Sequence, residues 1–145
     1  MERVDVIPAI VLSSHALARI AAQEAGNDAP SAQWRVLSIL EQRDGMRLGA
    51  LARASRTTQP GMTRLVGDLE RSGLVTRGPD ASDSRAIRVT LTDIGRRTLH
   101  AWRAEFRDTL APLFADLDDS QWDALRSAAE ILAAHTREES TGENA

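Results

Sequence analysis

The side chains with the most specific chemistry in this sequence are the arginines of its middle third. All 18 basic residues among the 145 are arginine, and a planar guanidinium can bind a phosphate, or the N7 and O6 atoms of guanine, through paired hydrogen bonds. A GC-rich genome also favours arginine codons, so the absence of lysine alone is no argument. The distribution says more, because residues 44–103 carry a net charge of +5 and the remainder −8. This asymmetry predicts a nucleic-acid surface between segments with another role.

Two of these arginines, Arg64 and Arg71, lie on one face of a predicted helix that Thr58 caps. On a wheel of about 100° per residue, the apolar stripe comprises Met62, Leu65, Val66 and Leu69. The opposite face comprises Pro60, Arg64, Gly67 and Arg71. The glycine at its centre would let the backbone approach DNA closely, and Gln59 and Thr63 flank the end that usually meets base edges. Taken alone, this face also suits an ordinary solvated helix.

An acid–base pair, Asp83 and Arg85, lies in a polar loop predicted at residues 78–85. An arginine at a loop tip can enter a DNA minor groove, whose negative potential attracts it. Asp83 can orient that guanidinium through a charge-assisted hydrogen bond. A solvated ion pair in a loop is the alternative interpretation of the same two residues.

The elements that must position these side chains follow from hydrophobic periodicity and from helix caps. We predict strands at residues 46–48, 74–77 and 87–91, and a short helix at 48–54. Further helices are predicted at residues 4–23, around Trp34 to Leu40, at 58–72, at 93–117 and from 118 onward, with a break at 26–31 and a polar tail at 137–145. Helix, turn, helix and a long-tipped hairpin is the order of a winged helix-turn-helix, so the fold class is mainly α with a small β-hairpin wing (α+β).

Two strings carry a specific resemblance: TQPGMTRLVGDLERSGLV from Thr58, and DSRAIRVTLTDIGRR from Asp83. Together they closely resemble the MarR (multiple antibiotic resistance regulator) family over about residues 34–97. The resemblance implies that Thr58 caps the helix and touches phosphate, and that Arg85 enters the minor groove while Asp83 holds it. It also implies base contacts from Gln59, Pro60, Thr63 and Arg64.

The absence of cysteine, of a signal peptide and of a membrane span favours a cytoplasmic location. The resemblance further implies a homodimer that binds double-stranded promoter DNA and regulates transcription, most simply as a ligand-responsive repressor. The chain would form a single domain over residues 1–145. Residues 31–92 would form the DNA-binding lobe, and residues 4–25 and 93–138 the helical dimerisation region. A winged-helix module that binds protein rather than DNA is the alternative function.

The sequence departs from the family pattern at Arg56 and Thr57, where members usually carry glycine and then an aliphatic residue. A positive φ angle at the first position suits arginine less well than glycine, and Thr57 fills a semi-buried slot poorly. The departure also places a basic side chain near the DNA backbone, so Arg56 is a candidate phosphate contact.

Members of the family often respond to small aromatic acids, which implies an effector site between the dimer helices and the DNA-binding lobe. His15 and Arg19 on the first helix and Trp34 on the second are the candidate lining residues. The alternatives are that Trp34 is a core residue and that His15 is a surface or interface residue.

Other classes of function find no support in the sequence. His15, His100 and His135 have no ligand or triad spacing, and no glycine-rich phosphate loop is present. We therefore expect no catalytic site, no metal site and no cofactor, and the absence of cysteine excludes disulfides. We also expect no apolar run to approach the roughly 20 residues of a membrane span, and no signal peptide is evident.

Overall fold

The computed structural model describes residues 1–24 and 31–136, which form two compact units, Met1–Leu110 and the segment from Ala111 onward. The predicted break at 26–31, except for Ser31, and the predicted tail at 137–145 lie outside the described residues. The elements of the first unit are α1 (Val6–Glu24), α2 (Ser31–Glu41), β1 (Met46–Arg47), α3 (Leu48–Ala54), α4 (Gln59–Arg71), β2 (Val75–Pro79), β3 (Ile87–Leu91) and α5 (Asp93–Leu110). The second unit contains a 3-10 helix (Ala111–Phe114) and α6 (Asp119–Thr136).

The three strands form one antiparallel sheet in the order β1-β3-β2, which confirms the predicted fold class of helices with a small hairpin. Strand β2 extends two residues further than predicted, because Gly78 pairs with Arg88 and Pro79 pairs with Ile87. Proline is tolerated there because β2 is an edge strand. The hairpin β2–β3, which we call the wing, therefore has a loop at residues 80–86.

The core of the first unit lies under α4. Met62, Val66 and Leu69 of the predicted apolar stripe are fully buried, whereas Leu65 is half-buried. They pack with side chains from the neighbouring helices and strands, which include Val36, Leu37, Leu40, Leu51, Val75, Val89 and Leu99. Each fully buried aliphatic side chain stabilises the fold by roughly 1.5–3 kcal/mol. This packing fixes α4 and exposes its opposite face.

A compact junction links the ends of α4, β2 and α5. The Thr92 hydroxyl donates to the carbonyl of Gly73 (2.7 Å) and accepts from the amide of Gly95 (2.9 Å), while the Thr92 amide donates to the carbonyl of Leu74 (3.1 Å). A Cβ on Gly95 would lie 2.1 Å from that Leu74 carbonyl oxygen. Only glycine lets α5 approach this closely, which explains the Leu-Thr-x-x-Gly pattern that starts the helix.

The prediction that the fifth helix runs to about residue 117 is wrong. Helix α5 ends at Leu110, and a 3-10 helix follows at Ala111–Phe114. Pro112 accounts for the change, because proline disfavours α-helix at the residue before it and lacks an amide donor. In the second unit, Asp118 accepts from the Gln121 amide (2.9 Å), and the Gln121 side chain accepts from the Asp118 amide (3.0 Å). This capping box starts α6 where the sequence predicted.

Helix α1 buries only Ala21. It begins two residues later than predicted, after a 3-10 helix at Arg3–Asp5, and it leaves Ile7, Val11 and Leu12 exposed. The segment Arg3–Glu24 is long and apolar enough to cross a membrane by length and composition. That finding corrects the expectation that no segment approaches this limit. It is weak evidence for a membrane location, because a helix whose apolar side faces another protein meets the same criterion.

Candidate nucleic-acid interface

Helix α4 starts from a side-chain cap. The Thr58 hydroxyl accepts from the amide of Gly61 (3.2 Å), and Pro60 occupies the first turn, where a missing N–H costs little. The predicted base-contacting side chains of this first turn and the next are all exposed: Gln59, Pro60, Thr63 and Arg64. The N-terminal half of α4 therefore presents an open, polar face beside a positive helix end.

The two arginines on the exposed face of α4 differ. Arg71 pairs with Asp68 one turn earlier, and its side chain remains 73% exposed. Arg64 makes no hydrogen bond or ion pair with any of residues 1–24 and 31–136. The Arg64 guanidinium is thus free for an external partner, whereas Asp68 offsets the charge of Arg71. Between them, a Cβ on Gly67 would meet nothing closer than the Arg71 guanidinium at 3.6 Å.

The turn before α4 holds Arg56 at a φ of +52°, and it is the sole non-glycine residue with positive φ in the described part of the chain. The predicted positive φ at this position is confirmed, and a residue with a Cβ costs of order 1–2 kcal/mol in the left-handed region. The Arg56 side chain is exposed. Thr57 is half-buried, and its hydroxyl donates to the carbonyl of Ser55 (3.3 Å).

The wing brings Asp83 and Arg85 together. One Asp83 oxygen accepts from both the amide (3.0 Å) and the Nε atom (3.2 Å) of Arg85. The Arg85 side chain is 91% exposed, and its terminal nitrogens make no hydrogen bond to any described residue, while its backbone amide and Nε are held. This geometry suits an arginine that projects from a loop into a groove.

A second wing carboxylate, Asp80, was not singled out from the sequence. Its side chain is 4% exposed and accepts from Arg47 (2.9 Å), Arg88 (3.3 Å) and the hydroxyl of Ser82 (2.7 Å). The hydrogen bonds from Ser82 and Arg47 hold the pKa of Asp80 far below its ordinary value. One local signal is present, since Asp80 also accepts the amide of Ser82 two residues later, in a turn that aspartate side chains commonly form. The two arginines come from β1 and β3 and are not visible as partners in the sequence.

A third carboxylate ties the wing to α4. Glu70 near the end of α4 accepts from the backbone amide of Arg77 (3.0 Å) and from its Nη2 atom (2.9 Å). The hydrogen bond from the Arg77 side chain outweighs burial and holds the pKa of Glu70 below its ordinary value. Strand β2 is therefore attached to the helix whose face is exposed beside it.

The three candidate effector residues are not joined by hydrogen bonds among the described residues. Trp34 packs against Phe106 (ring centroids 4.5 Å apart) and Trp102 (6.3 Å), which fits its interpretation as a packing residue. His15 and Arg19 lie exposed on α1.

Comparison with known proteins places this architecture in a family. The MarR family profile matches residues 30–87. An HTH-type transcriptional regulator of Mycobacterium bovis is 35% identical over 102 residues, which span 70% of this chain and 71% of that protein. The structure of RV1404 from Mycobacterium tuberculosis has a TM-score of 0.76 at 23% identity, covering 97% of this chain and 99% of that one. A mutant of S. aureus MepR, solved with a bound oligodeoxyribonucleotide, has a TM-score of 0.62 at 24% identity, covering 91% of this chain and 98% of that one. This chain belongs to the MarR family of DNA-binding transcriptional regulators.

Proposed function

We propose that this chain is a homodimeric, sequence-specific repressor that binds a pseudo-palindromic promoter site with α4 and the wing. The observation that carries the proposal is an exposed helix face on which Arg64 has no partner among the described residues, attached through Glu70 to a hairpin whose tip holds an exposed Arg85. A helix in the major groove and a hairpin in the adjacent minor groove match these two features.

The proposed contacts divide by chemistry. Arg56, Thr58 and Arg71 bind phosphates, which supply affinity on any sequence. Arg64, Gln59, Pro60 and Thr63 face base edges, where a paired arginine–guanine contact discriminates by roughly 1–3 kcal/mol. Arg85 reads the width of a minor groove with Asp83 as its support.

The proposed dimer rests on apolar side chains that the two units leave exposed. These are Val4, Ile7, Val11 and Leu12 in the first unit, and Leu113, Trp122, Leu125 and Ile131 in the second. Exposed apolar faces of this extent mark interfaces, and two-fold symmetry matches a pseudo-palindrome with half-sites about one helical turn apart. Light scattering should give twice the 15.8 kDa chain mass, and a monomer at micromolar concentration would contradict the dimer.

An effector completes the proposal. We assign it the class of small aromatic acids, with His15 and Arg19 as candidate partners for a carboxylate and Trp34 as a ring-packing partner. Effector binding would lower DNA affinity by favouring a dimer whose two α4 helices no longer match the half-site spacing. A cytoplasmic location follows from a promoter target.

The test is a gel shift with the intergenic DNA upstream of the gene, at several salt concentrations, followed by a reporter fusion to the same DNA. We expect a specific complex whose affinity falls steeply with salt, since phosphate contacts release counterions. Deleting the gene should raise reporter expression. A salt-independent complex or no shift would indicate a protein-binding module, and falling expression would indicate an activator.

A further inference from the structure

Within the wing loop, residues 80–86, Asp80 is the one buried residue, whereas Ser82, Ser84 and Arg85 are exposed to differing degrees. Burial of a carboxylate is costly unless hydrogen bonds compensate it. The Asp80 carboxylate accepts five hydrogen bonds, from Arg47, Arg88, the hydroxyl and amide of Ser82, and the amide of Asp83. The loop is therefore organised around this side chain.

We propose that Asp80 is a positioning residue that sets where Arg85 lies on DNA; this inference rests on the proposed DNA-binding role of the wing. Two successive sets of hydrogen bonds connect Asp80 to Arg85 through Asp83. Asp80 accepts the amide of Asp83 (3.2 Å), and Asp83 in turn accepts the amide and Nε of Arg85. The Asp80 amide also donates to the carbonyl of Ala86 (3.0 Å), which closes the loop at its base.

The two arginines on Asp80 attach this path to the sheet. Arg47 belongs to β1 and also donates to the hydroxyl of Ser82 (3.1 Å). Arg88 belongs to β3 and also donates to the main-chain carbonyl of Asp44 (2.8 Å). These two arginines therefore connect the Asp80 carboxylate, and with it the wing loop, to strands β1 and β3. Without the Asp80 carboxylate, strands β2 and β3 would still pair, but the loop would lose its side-chain connections to β1 and β3.

Charge alone predicts the opposite effect of removing Asp80. The carboxylate offsets two guanidinium groups near the DNA-binding side, so its loss raises the local positive charge and favours DNA. Positioning predicts weaker binding, because Arg85 then adopts many orientations and loses entropy on binding. The sign of the change in affinity therefore separates the two explanations.

The experiment compares Asp80→Asn with wild type on the cognate duplex and on a duplex whose flanking A·T steps are replaced by G·C. We expect about three- to tenfold weaker binding to the cognate duplex and a smaller preference for A·T flanks. Asp44→Asn is the matched control, since it removes one charge from an exposed residue that bonds Arg88 through its main-chain carbonyl, and it leaves the hydrogen bonds to Asp80 intact. It should bind as tightly as wild type or slightly more tightly.

A double-mutant comparison then tests whether Asp80 acts through Arg85. In an Arg85→Ala background, Asp80→Asn should cause no further loss of affinity. Tighter or unchanged binding by the single variant would overturn the proposal, as would an equal further loss in the Arg85→Ala background. If Arg85→Ala itself binds like wild type, the wing contact of the proposed function has failed instead.

Ser82→Ala guards against a folding defect in Asp80→Asn. It keeps every charge and removes both hydrogen bonds of the Ser82 hydroxyl, the 2.7 Å bond donated to Asp80 and the 3.1 Å bond accepted from Arg47. We expect about two- to threefold weaker binding with an unchanged melting temperature, because four of the five hydrogen bonds onto Asp80 remain. Unchanged binding by this variant, when Asp80→Asn does not fold, would overturn the proposal.

Discussion

The face of α4 and the wing present arginines in two different ways. Arg64 projects from a helix whose backbone is already fixed by buried Met62, Val66 and Leu69, and the described residues give its side chain no partner. Arg85 projects from a loop with no regular backbone, and two carboxylates in series hold that loop. A helix positions a side chain through its own geometry, whereas a loop needs side-chain hydrogen bonds to do so.

The largest expected effect separates the two arginines directly. Arg64→Ala should weaken binding to the cognate duplex by about 1–3 kcal/mol and leave random DNA nearly unaffected, because a base-edge contact is lost. Arg85→Ala should weaken binding on many sequences and relax preference only near the edges of the site. Titration of both variants against cognate and scrambled duplexes at fixed salt measures this. Equal weakening of both duplexes by Arg64→Ala would reduce that residue to a phosphate contact.

Both variants should remain folded dimers with little change in melting temperature, because Arg64 and Arg85 are exposed. Their melting curves are the control for the affinity measurements.

Gly67→Ala tests whether the backbone of α4 approaches DNA closely. Alanine is favoured over glycine inside a helix by about 1 kcal/mol, and the added methyl group has room, with nothing nearer than 3.6 Å. Denaturant unfolding should therefore show a more stable protein, while gel shifts show weaker DNA binding because the methyl group meets the groove. A variant that is more stable and binds DNA normally would show that the backbone does not approach DNA here.

Arg56→Gly tests the strained turn beside the helix. Glycine relieves the positive φ but raises the entropy of the unfolded chain, so the free energy of unfolding should rise by no more than about 1 kcal/mol. DNA affinity should fall on all sequences, and the slope of log K against log salt should fall by about one contact. An unchanged salt slope would exclude the phosphate contact.

The smallest expected effect is that of acidification on the free energy of unfolding, through the carboxylates Asp80 and Glu70 that hold the wing. The pKa values of Asp80 and Glu70 are lowered in the folded state, so the unfolded state binds more protons as pH falls. Their contribution is present above the ordinary carboxyl pKa values and is lost as pH drops through and below that range. Unfolding free energies measured from pH 7 to pH 3 should fall less for Glu70→Gln than for wild type. Identical pH profiles would show that the Glu70–Arg77 pair does not contribute to the pH dependence of stability.

Sequence reasoning recovered the features that depend on local patterns. The stripe of α4, the Thr58 cap, the positive φ at Arg56 and the proximity of Asp83 to Arg85 all involve residues within one or two turns of each other. The end of α5 is also local, since Pro112 is a stop signal in the sequence itself.

What the sequence could not show depends on partners far apart in the chain. Asp80 is bonded to Arg47 from 33 positions away, and the extension of β2 through Gly78 and Pro79 depends on register with β3. Gly-Pro-Asp is locally typical of a turn, and tertiary pairing overrides that preference. The Asp68–Arg71 pair is different, because its i,i+3 spacing on a helix is a local signal that the sequence does contain. This pair makes Arg71 a less available cation than Arg64.

The junction around Thr92 and Gly95 connects the start of α5 to both parts of the proposed DNA-binding surface, α4 and the wing. One threonine holds the carbonyl of Gly73 just after α4 and, through its amide, that of Leu74 at the base of the wing. Because these hydrogen bonds and the close approach of Gly95 to Leu74 tie the start of α5 to both elements, we expect a rotation of α5 to move α4 and the wing together. In the proposed dimer, such a rotation would change the distance between the two DNA-binding surfaces, one in each protomer. The arrangement of α4 and the wing within each protomer would stay the same. An effector would then control the spacing of half-sites that the protein accepts, and the bases read within each half-site would stay the same.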